Sequence, residues 1–351
     1  MATFLKKYFP PPELMLMPAI GLDISDSSIK YAEIVHSHKK NVLKQFGKKS
    51  LPQNAITQGA ITSKFEVEKV LHEIQALTKR DFVRVALPED QIHLFDLRIP
   101  KVSSKEIEQA IFFQIEEHIP IPKNNLVFDY NLIAEEKNVY HIQVHAIMAS
   151  VVDQYLEVIT KAGFAVLSFE LGPQAMTRTL FDQNSHNQSV LVDIGAVHTT
   201  ISVVYDNNVI FASNVGFGGN ILTQEIANIS GKSTEEAEQL KQKQGLGSDS
   251  EYISVLEQHV NQLAMDIVKH QQYCVDHRGF PAGEHQIVLI GGGAYLPGLA
   301  EYLGGQLGLS VNRGRFFDGN LQKINFGEDT LEQPLTYVTA IGLALAQFDH
   351  D

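Results

Sequence analysis

With 351 residues and 44% hydrophobic content, the chain is sized for about two domains with packed cores. Its 41 acidic against 28 basic residues give a net charge of −13, which argues against a nucleic-acid-binding face and against general attraction to anionic lipid. The single cysteine, Cys274, excludes an internal disulfide and a thiolate metal cluster, and the apolar runs fall short of the ~20 residues of a membrane span.

Residues 1–17 read as an N-terminal arm, in which Phe4-Leu5-Lys6-Lys7-Tyr8-Phe9 is stopped by Pro10-Pro11-Pro12. The arm lacks the long apolar core and cleavage site of a secretory signal, so a cytoplasmic address is expected. Residues 18–49 read as three strands with a turn at Lys39-Lys40-Asn41. The first, Ile20-Gly21-Leu22-Asp23-Ile24, ends on an acid, passes through Ser25, Ser27 and Ser28, and returns as Ile29 to Val35. Phe65 to Leu77 has helical spacing through Val67, Val70, Leu71 and Ile74. Residues 82–165 read as an inserted α+β unit. Strands are expected at 83–87 and 92–99, then a helix through Ile107, Ile111, Phe112, Ile115 and Ile119, strands at 126–134 and 139–148, and a helix at 151–161.

The second half repeats the opening phrase. Leu191-Val192-Asp193-Ile194-Gly195-Ala196 is followed by Thr199, Thr200 and a returning strand, Ile201 to Tyr205, within three strands at 188–214. Helices are expected near 218–229, 234–243 and 252–277. Gly231-Lys232-Ser233-Thr234 imitates the end of a Walker A loop, but Ile226 stands where the leading glycine is required, and Ser233 with Glu236 forms a capping box instead. Gln286 to Ile290 is a continuous apolar run, as in a strand buried on both faces, and ends in Gly291-Gly292-Gly293-Ala294. Pro297 lies in the first turn of the helical pattern that follows. Residues 312–328 read as a long loop, and a last helix is expected near 335–347.

Two such hairpins facing each other across a cleft would aim Asp23 and Asp193 at one point. Paired carboxylates suit a hydrated Mg²⁺, which takes few protein ligands. Turn amides suit phosphate oxygens, and bare glycines let a base or ribose lie against backbone. The 14 histidines show no metal-binding spacing, and no G-x-S-x-G nucleophile elbow occurs.

The two acidic hairpins and the glycine strand together resemble the nucleotide-binding core of the actin-like ATPase superfamily. The resemblance implies an α/β, actin-like (ribonuclease H-like, duplicated) two-domain fold with a small α+β insert in the first half. The first domain would comprise 18–81 with 166–187 and 335–351, the insert 82–165, and the second domain 188–334. It implies ATP or ADP with Mg²⁺ as cofactors, the metal held by Asp23 and Asp193. Ser25, Ser28, Lys30, Gly195, Ala196 and Thr199 would serve the phosphates, and Gly218 and Gly219 would open a helix N-terminus onto them. Glu238 and Lys241 match a segment of the FtsA branch that approaches ribose and base. Gly291, Gly292, Gly293 and Ala294 would flank the nucleoside. Gln174, in Pro173-Gln174-Ala175, matches a water-orienting glutamine and would act with Asp193. One departure is Ser25-Asp26, where the superfamily carries glycine and where Asp26 sets a negative charge near the phosphates.

Within the FtsA-like branch the resemblance narrows to the PilM family of type IV pilus assembly. It is carried by Gly21-Leu22-Asp23-Ile24, Ala86-Leu87-Pro88 with Leu97-Arg98-Ile99-Pro100, Ile290-Gly291-Gly292-Gly293 with Leu296-Pro297-Gly298-Leu299, and Ala340-Ile341-Gly342-Leu343. The implied function is an ATP-binding cytoplasmic scaffold with slow or no hydrolysis. It would bind the N-terminal cytoplasmic tail of a PilN-like inner-membrane protein in a groove walled by Ile111, Phe112 and Ile115. Pilus motor ATPases, peripheral association with the inner membrane through partners, and a homo-oligomer are further expectations. An FtsA-like membrane-associated filament former and a small-molecule kinase stay open as alternatives.

Overall fold

In the computed structural model, residues 17–37, 40–183, 186–247, 250–283, 285–317 and 333–348 are described. The expected N-terminal arm therefore lies outside them apart from Met17, as do Lys39 of the expected turn and the expected loop beyond residue 317.

Hydrophobic strands flanked by polar turns assemble the first half. β1 (Ala19–Ile24), β2 (Ser28–Ser37) and β3 (Lys40–Ser50) form an antiparallel meander, followed by the small ribbon β4 (Ile56–Thr57) and β5 (Ala60–Ile61) and by helix α1 (Lys64–Thr78). β6 (Phe82–Leu87) then pairs parallel with β1. β7 (Ile92–Pro100), α2 (Ser104–His118), β8 (Leu126–Glu135) and β9 (Val139–Met148) come next, then α3 (Ala149–Lys161), β10 (Ala165–Leu171) and α4 (Gly172–Leu180). β10 pairs parallel with β6, completing a five-stranded sheet in the order β10-β6-β1-β2-β3.

The second half repeats this plan. β11 (Gln188–Ile194), β12 (Thr199–Tyr205) and β13 (Asn208–Val215) form the meander. Helices α5 (Gly219–Ser230), α6 (Thr234–Gln244) and α7 (Ile253–His277) follow, then β14 (Gln286–Ile290), α8 (Leu299–Leu307) and β15 (Val311–Arg313). The sheet runs β13-β12-β11-β14-β15, with β14 and β15 parallel to β11. The repeated aspartates hold equivalent register: Asp23 faces Lys30 across its hairpin, and Asp193 faces Thr200. β15 occupies part of the expected loop; three residues at a sheet edge are too few to show a strand period.

The unit expected at 82–165 is smaller than that. β6 belongs to the first sheet, and α3 buries Tyr155, Val158 and Ile159 in the same core as Val67, Leu71 and Ile74 of α1. What stands apart is the three-stranded sheet β7-β9-β8 with α2, around a core of Leu97, Ile99, Ile107, Ile111, Ile142 and Val144. This small sheet also reaches the second half: Gln143 on β9 donates to the Ile210 carbonyl on β13 at 2.8 Å, and Asp96 on β7 is ion-paired with Arg278 beyond α7.

The last helix, α9 (Val338–Leu345), returns to the first half and packs on β1 and α4. Two glycines permit the approach. A Cβ on Gly21 would collide with the Ala340 carbonyl, and one on Gly342 with the Ala175 carbonyl.

Candidate functional site

Between the two sheets lies a cavity of about 380 Å³, walled by both hairpin turns, the glycine strand end, the α5 and α6 ends, and the turn after β6. Each hairpin turn closes in the same way. The amide of Ser25 donates to the Ser28 carbonyl at 3.0 Å, and that of Gly195 to the His198 carbonyl at 3.0 Å. Those two amides are therefore committed to the turn and unavailable to phosphate. The amides of Asp26, Ser27, Ala196 and Val197, on the same wall, have no acceptor among the described residues.

Asp23 and Asp193 both line the cavity. Lys30 donates to Asp23 Oδ2 at 2.8 Å; burial works to lower the pKa of this ammonium, but Asp23 and then Asp193 outweigh it and hold it above its ordinary value. Burial raises the Asp193 carboxyl above the usual range, with Lys30 acting against that and Asp23 reinforcing it. Asp26 points elsewhere. Its carboxylate accepts the amides of Gln58 (2.9 Å) and Gly59 (3.1 Å) in the β4–β5 turn.

On the opposite side, Lys241 donates to the Gly219 carbonyl (2.9 Å), Thr223 Oγ1 (2.7 Å) and Glu238 Oε2 (2.6 Å), locking the start of α5 to α6. Gly291 has φ +77°, and a Cβ there would collide with Asp193 Oδ1; one on Gly293 would strike Ile194. A Cβ on Gly292 would instead make only ordinary contact with Gln333 and Thr336. Thr336 Oγ1 is buried on this wall without a hydrogen-bond partner among the described residues.

Thirteen of the expected residues thus share one wall: Asp23, Ser25, Ser28, Lys30, Asp193, Gly195, Ala196, Gly219, Glu238, Lys241, Gly291, Gly292 and Gly293. Four do not. Thr199 is buried and donates to the Phe217 carbonyl at 2.8 Å. Gly218 is packed against Ala196 and Val197, and Ala294 is in the core. Gln174 turns toward the β12–β13 turn, donating to the Asn207 carbonyl at 3.3 Å. Residues not anticipated on the wall include Lys48, Glu89, Asp90, His198, Gln333 and Thr336. Glu89 and Asp90 follow Pro88 in a turn that reaches the wall because β6 lies beside β1.

The expected partner wall also needs correction. Ile111 and Ile115 are fully buried and face the core of the small sheet, so neither can touch a peptide. Phe113 on the same helix is 69% exposed. With Phe112 and Phe128 it forms a shallow apolar recess, and Lys123 Nζ lies 4.9 Å and 5.2 Å from the Phe112 and Phe113 ring centroids.

Comparison with known proteins gives this architecture a family. The sequence profile described as type IV pilus assembly protein PilM matches residues 21–348. The chain belongs to the PilM family. Among solved structures, a PilM–PilN type IV pilus biogenesis complex superposes with a TM-score of 0.81 at 21% identity, covering 95% of this chain and 100% of that one. Ethanolamine utilization protein EutJ from Carboxydothermus hydrogenoformans gives a TM-score of 0.55 at 16% identity, covering 96% and 90%. MreB5 of Spiroplasma citri bound to ADP gives 0.51 at 13% identity, covering 85% and 92%. The fold is therefore actin-like, as expected. A curated relative, the cell division protein FtsA of Streptococcus pneumoniae serotype 2 (strain D39 / NCTC 7466), is 26% identical over 166 residues, covering 41% of this chain and 36% of that protein. Among the described residues of this PilM-family chain, no helix is long and apolar enough to cross a membrane.

Proposed function

We propose that this PilM-family chain is an ATP-binding scaffold of type IV pilus assembly, holding Mg-nucleotide in the central cavity. The carrying observation is the pair of equivalent hairpins that brings Asp23 and Asp193 onto one wall with unpaired turn amides beside them.

The donor set fits a magnesium nucleotide. Acidic groups facing the cavity (Asp23, Asp90, Asp193 and Glu238) outnumber Lys30, Lys48 and Lys241, so a polyphosphate entering alone would be repelled. No group of three or more His, Cys, Asp or Glu side chains among the described residues is arranged to hold a metal. That suits Mg²⁺, which keeps its waters and takes ligands from phosphate. When bound, the ion would neutralise phosphate charge, with Asp23 and Asp193 anchoring its waters. The free amides of Asp26, Ser27, Ala196 and Val197 would take phosphate oxygens. Lys48, which has no ion pair among the described residues, supplies a further positive charge. Gly292 and the Thr336 hydroxyl, which has no partner among the described residues, would receive the nucleoside.

The same reading assigns a partner. The solved PilM–PilN complex supports a PilN-like partner, and in this reading the N-terminal tail of that inner-membrane protein docks on the chain. The contact would run over Phe112, Phe113 and Phe128 rather than Ile111 and Ile115, and membrane association would follow from that partner. Partial similarity to FtsA keeps filament formation as a second reading. Sedimentation with Mg-ATP separates the two, since a scaffold stays at its small size and a filament pellets.

Titration calorimetry with Mg-ATP tests the site. Asp193→Ala should lower affinity about a hundredfold, or about 2.8 kcal/mol, while the circular dichroism spectrum is retained. Unchanged affinity would overturn the site assignment.

A further inference from the structure

Gln174 is held away from the cavity, which leaves the wall without its expected water-orienting side chain. Glu89 stands in the turn between β6 and β7, on the cavity wall. α4 begins opposite it with Gly172, where a Cβ would collide with Glu89 Oε1; the glycine clears the space this carboxylate fills. The turn is fixed from both halves. The Gln91 amide donates to the Pro88 carbonyl at 3.0 Å, Gln91 Nε2 donates to the Gln58 carbonyl at 2.8 Å, and the adjacent Asp90 accepts from Asn214 Nδ2 on β13 at 2.6 Å. No lysine, arginine or histidine forms an ion pair with Glu89 among the described residues. The charged and titratable groups around it are Asp23 and Lys30 on the first hairpin, Asp193 on the second, Asp90 beside it and Tyr155 on α3.

We infer that Glu89 orients and deprotonates the water that attacks the terminal phosphate of bound ATP. This rests on the nucleotide reading above. In the step, a water O–H bond breaks and its proton passes to a Glu89 carboxylate oxygen. The water oxygen bonds to the γ-phosphorus, the bond from phosphorus to the β–γ bridging oxygen breaks, and ADP leaves with that electron pair. The products are ADP and inorganic phosphate, and the proton passes from Glu89 to solvent. Phosphoryl transfer depends mainly on such placement, and a base works best when its pKa lies near the working pH. Burial pushes Glu89 up to about 8; its own backbone amide works against this, and Asp23, Asp193 and Asp90 add to it.

The test uses the full chain, with calorimetry of a non-hydrolysable Mg-ATP analogue alongside phosphate release from Mg-ATP. Glu89→Gln should bind the analogue within about threefold of wild type and lose at least ~100-fold of phosphate release. Glu89→Asp, which keeps the carboxylate, should recover part of the loss. Wild-type release should rise toward about pH 8 as the carboxyl loses its proton, and Glu89→Gln should lack that limb. Unchanged release in Glu89→Gln, or a wild type that binds the analogue and releases no phosphate, overturns the role of Glu89 alone. Loss of analogue binding in Glu89→Gln also overturns it, making Glu89 a binding residue. A wild type that fails to bind the analogue overturns the nucleotide reading and this inference together.

Discussion

Asp26 shows how a residue that breaks a motif can be harmless to it. Its charge belongs among the phosphates by position, yet the carboxylate is spent on the amides of Gln58 and Gly59, both at positive φ. That ribbon is also tied down by the Tyr155 hydroxyl, which donates to the Gly59 carbonyl at 2.9 Å. Asp26→Gly should therefore act on stability more than on ligand. We expect a loss of about 1.5 kcal/mol by chemical denaturation, the scale of a charge-assisted hydrogen bond, with Mg-ATP affinity moved less than about threefold. A large fall in affinity at unchanged stability would place the carboxylate in the site after all. The contrast with Gln174 and Glu89 explains what was legible at this scale. Asp23 and Asp193 stood out because a repeated phrase marks repeated geometry. Gln174 misled because a residue in a first helical turn does not reveal which way that turn faces. Glu89 was hidden because the strand before it could have joined either sheet.

The same ambiguity governs the elements. Alternation in Phe82–Leu87 identifies a strand and leaves its neighbour open, which is why β6 and α3 were expected in the insert and lie in the first half. Likewise, the stripe Ile107, Ile111 and Ile115 of α2 is apolar because it faces its own small core. Helix α9 was expected and α4 was not, and their closeness depends on what a glycine faces. Gly342 lies against the Ala175 carbonyl, Thr179 Oγ1 donates to the Val338 carbonyl at 2.9 Å, and Arg178 donates to the Gly342 carbonyl at 2.9 Å. Even one methyl at 342 must part the helices. Gly342→Ala should cost about 1–3 kcal/mol, the range for overpacking a tight interior, and lower the melting temperature accordingly. An unchanged melting temperature would mean the two helices separate without loss.

At the scale of the molecule, the small sheet is bonded to both halves of the cleft. It grows from the turn that carries Glu89, and it grips the second half through Gln143–Ile210 and Asp96–Arg278. Asp90–Asn214 closes the same path at the cavity mouth. A nucleotide that changes the spacing of the halves must then alter these contacts, and a peptide seated beside Phe112 and Phe113 meets the same sheet from its other side. Linkage requires the effect to be reciprocal: whatever factor Mg-ATP applies to peptide affinity, the peptide applies to Mg-ATP affinity. For the wild type we expect a factor of at least ~5, the lower end of typical coupling, measured by fluorescence anisotropy of a labelled partner-tail peptide with and without Mg-ATP. In the double variant Asp96→Asn, Gln143→Leu the factor should approach one, with each ligand still binding alone, because the two sites remain intact while the bridge between them is cut. An undiminished factor in that variant would show that the coupling does not depend on these two contacts and runs through Asp90–Asn214 or through α4 and α9.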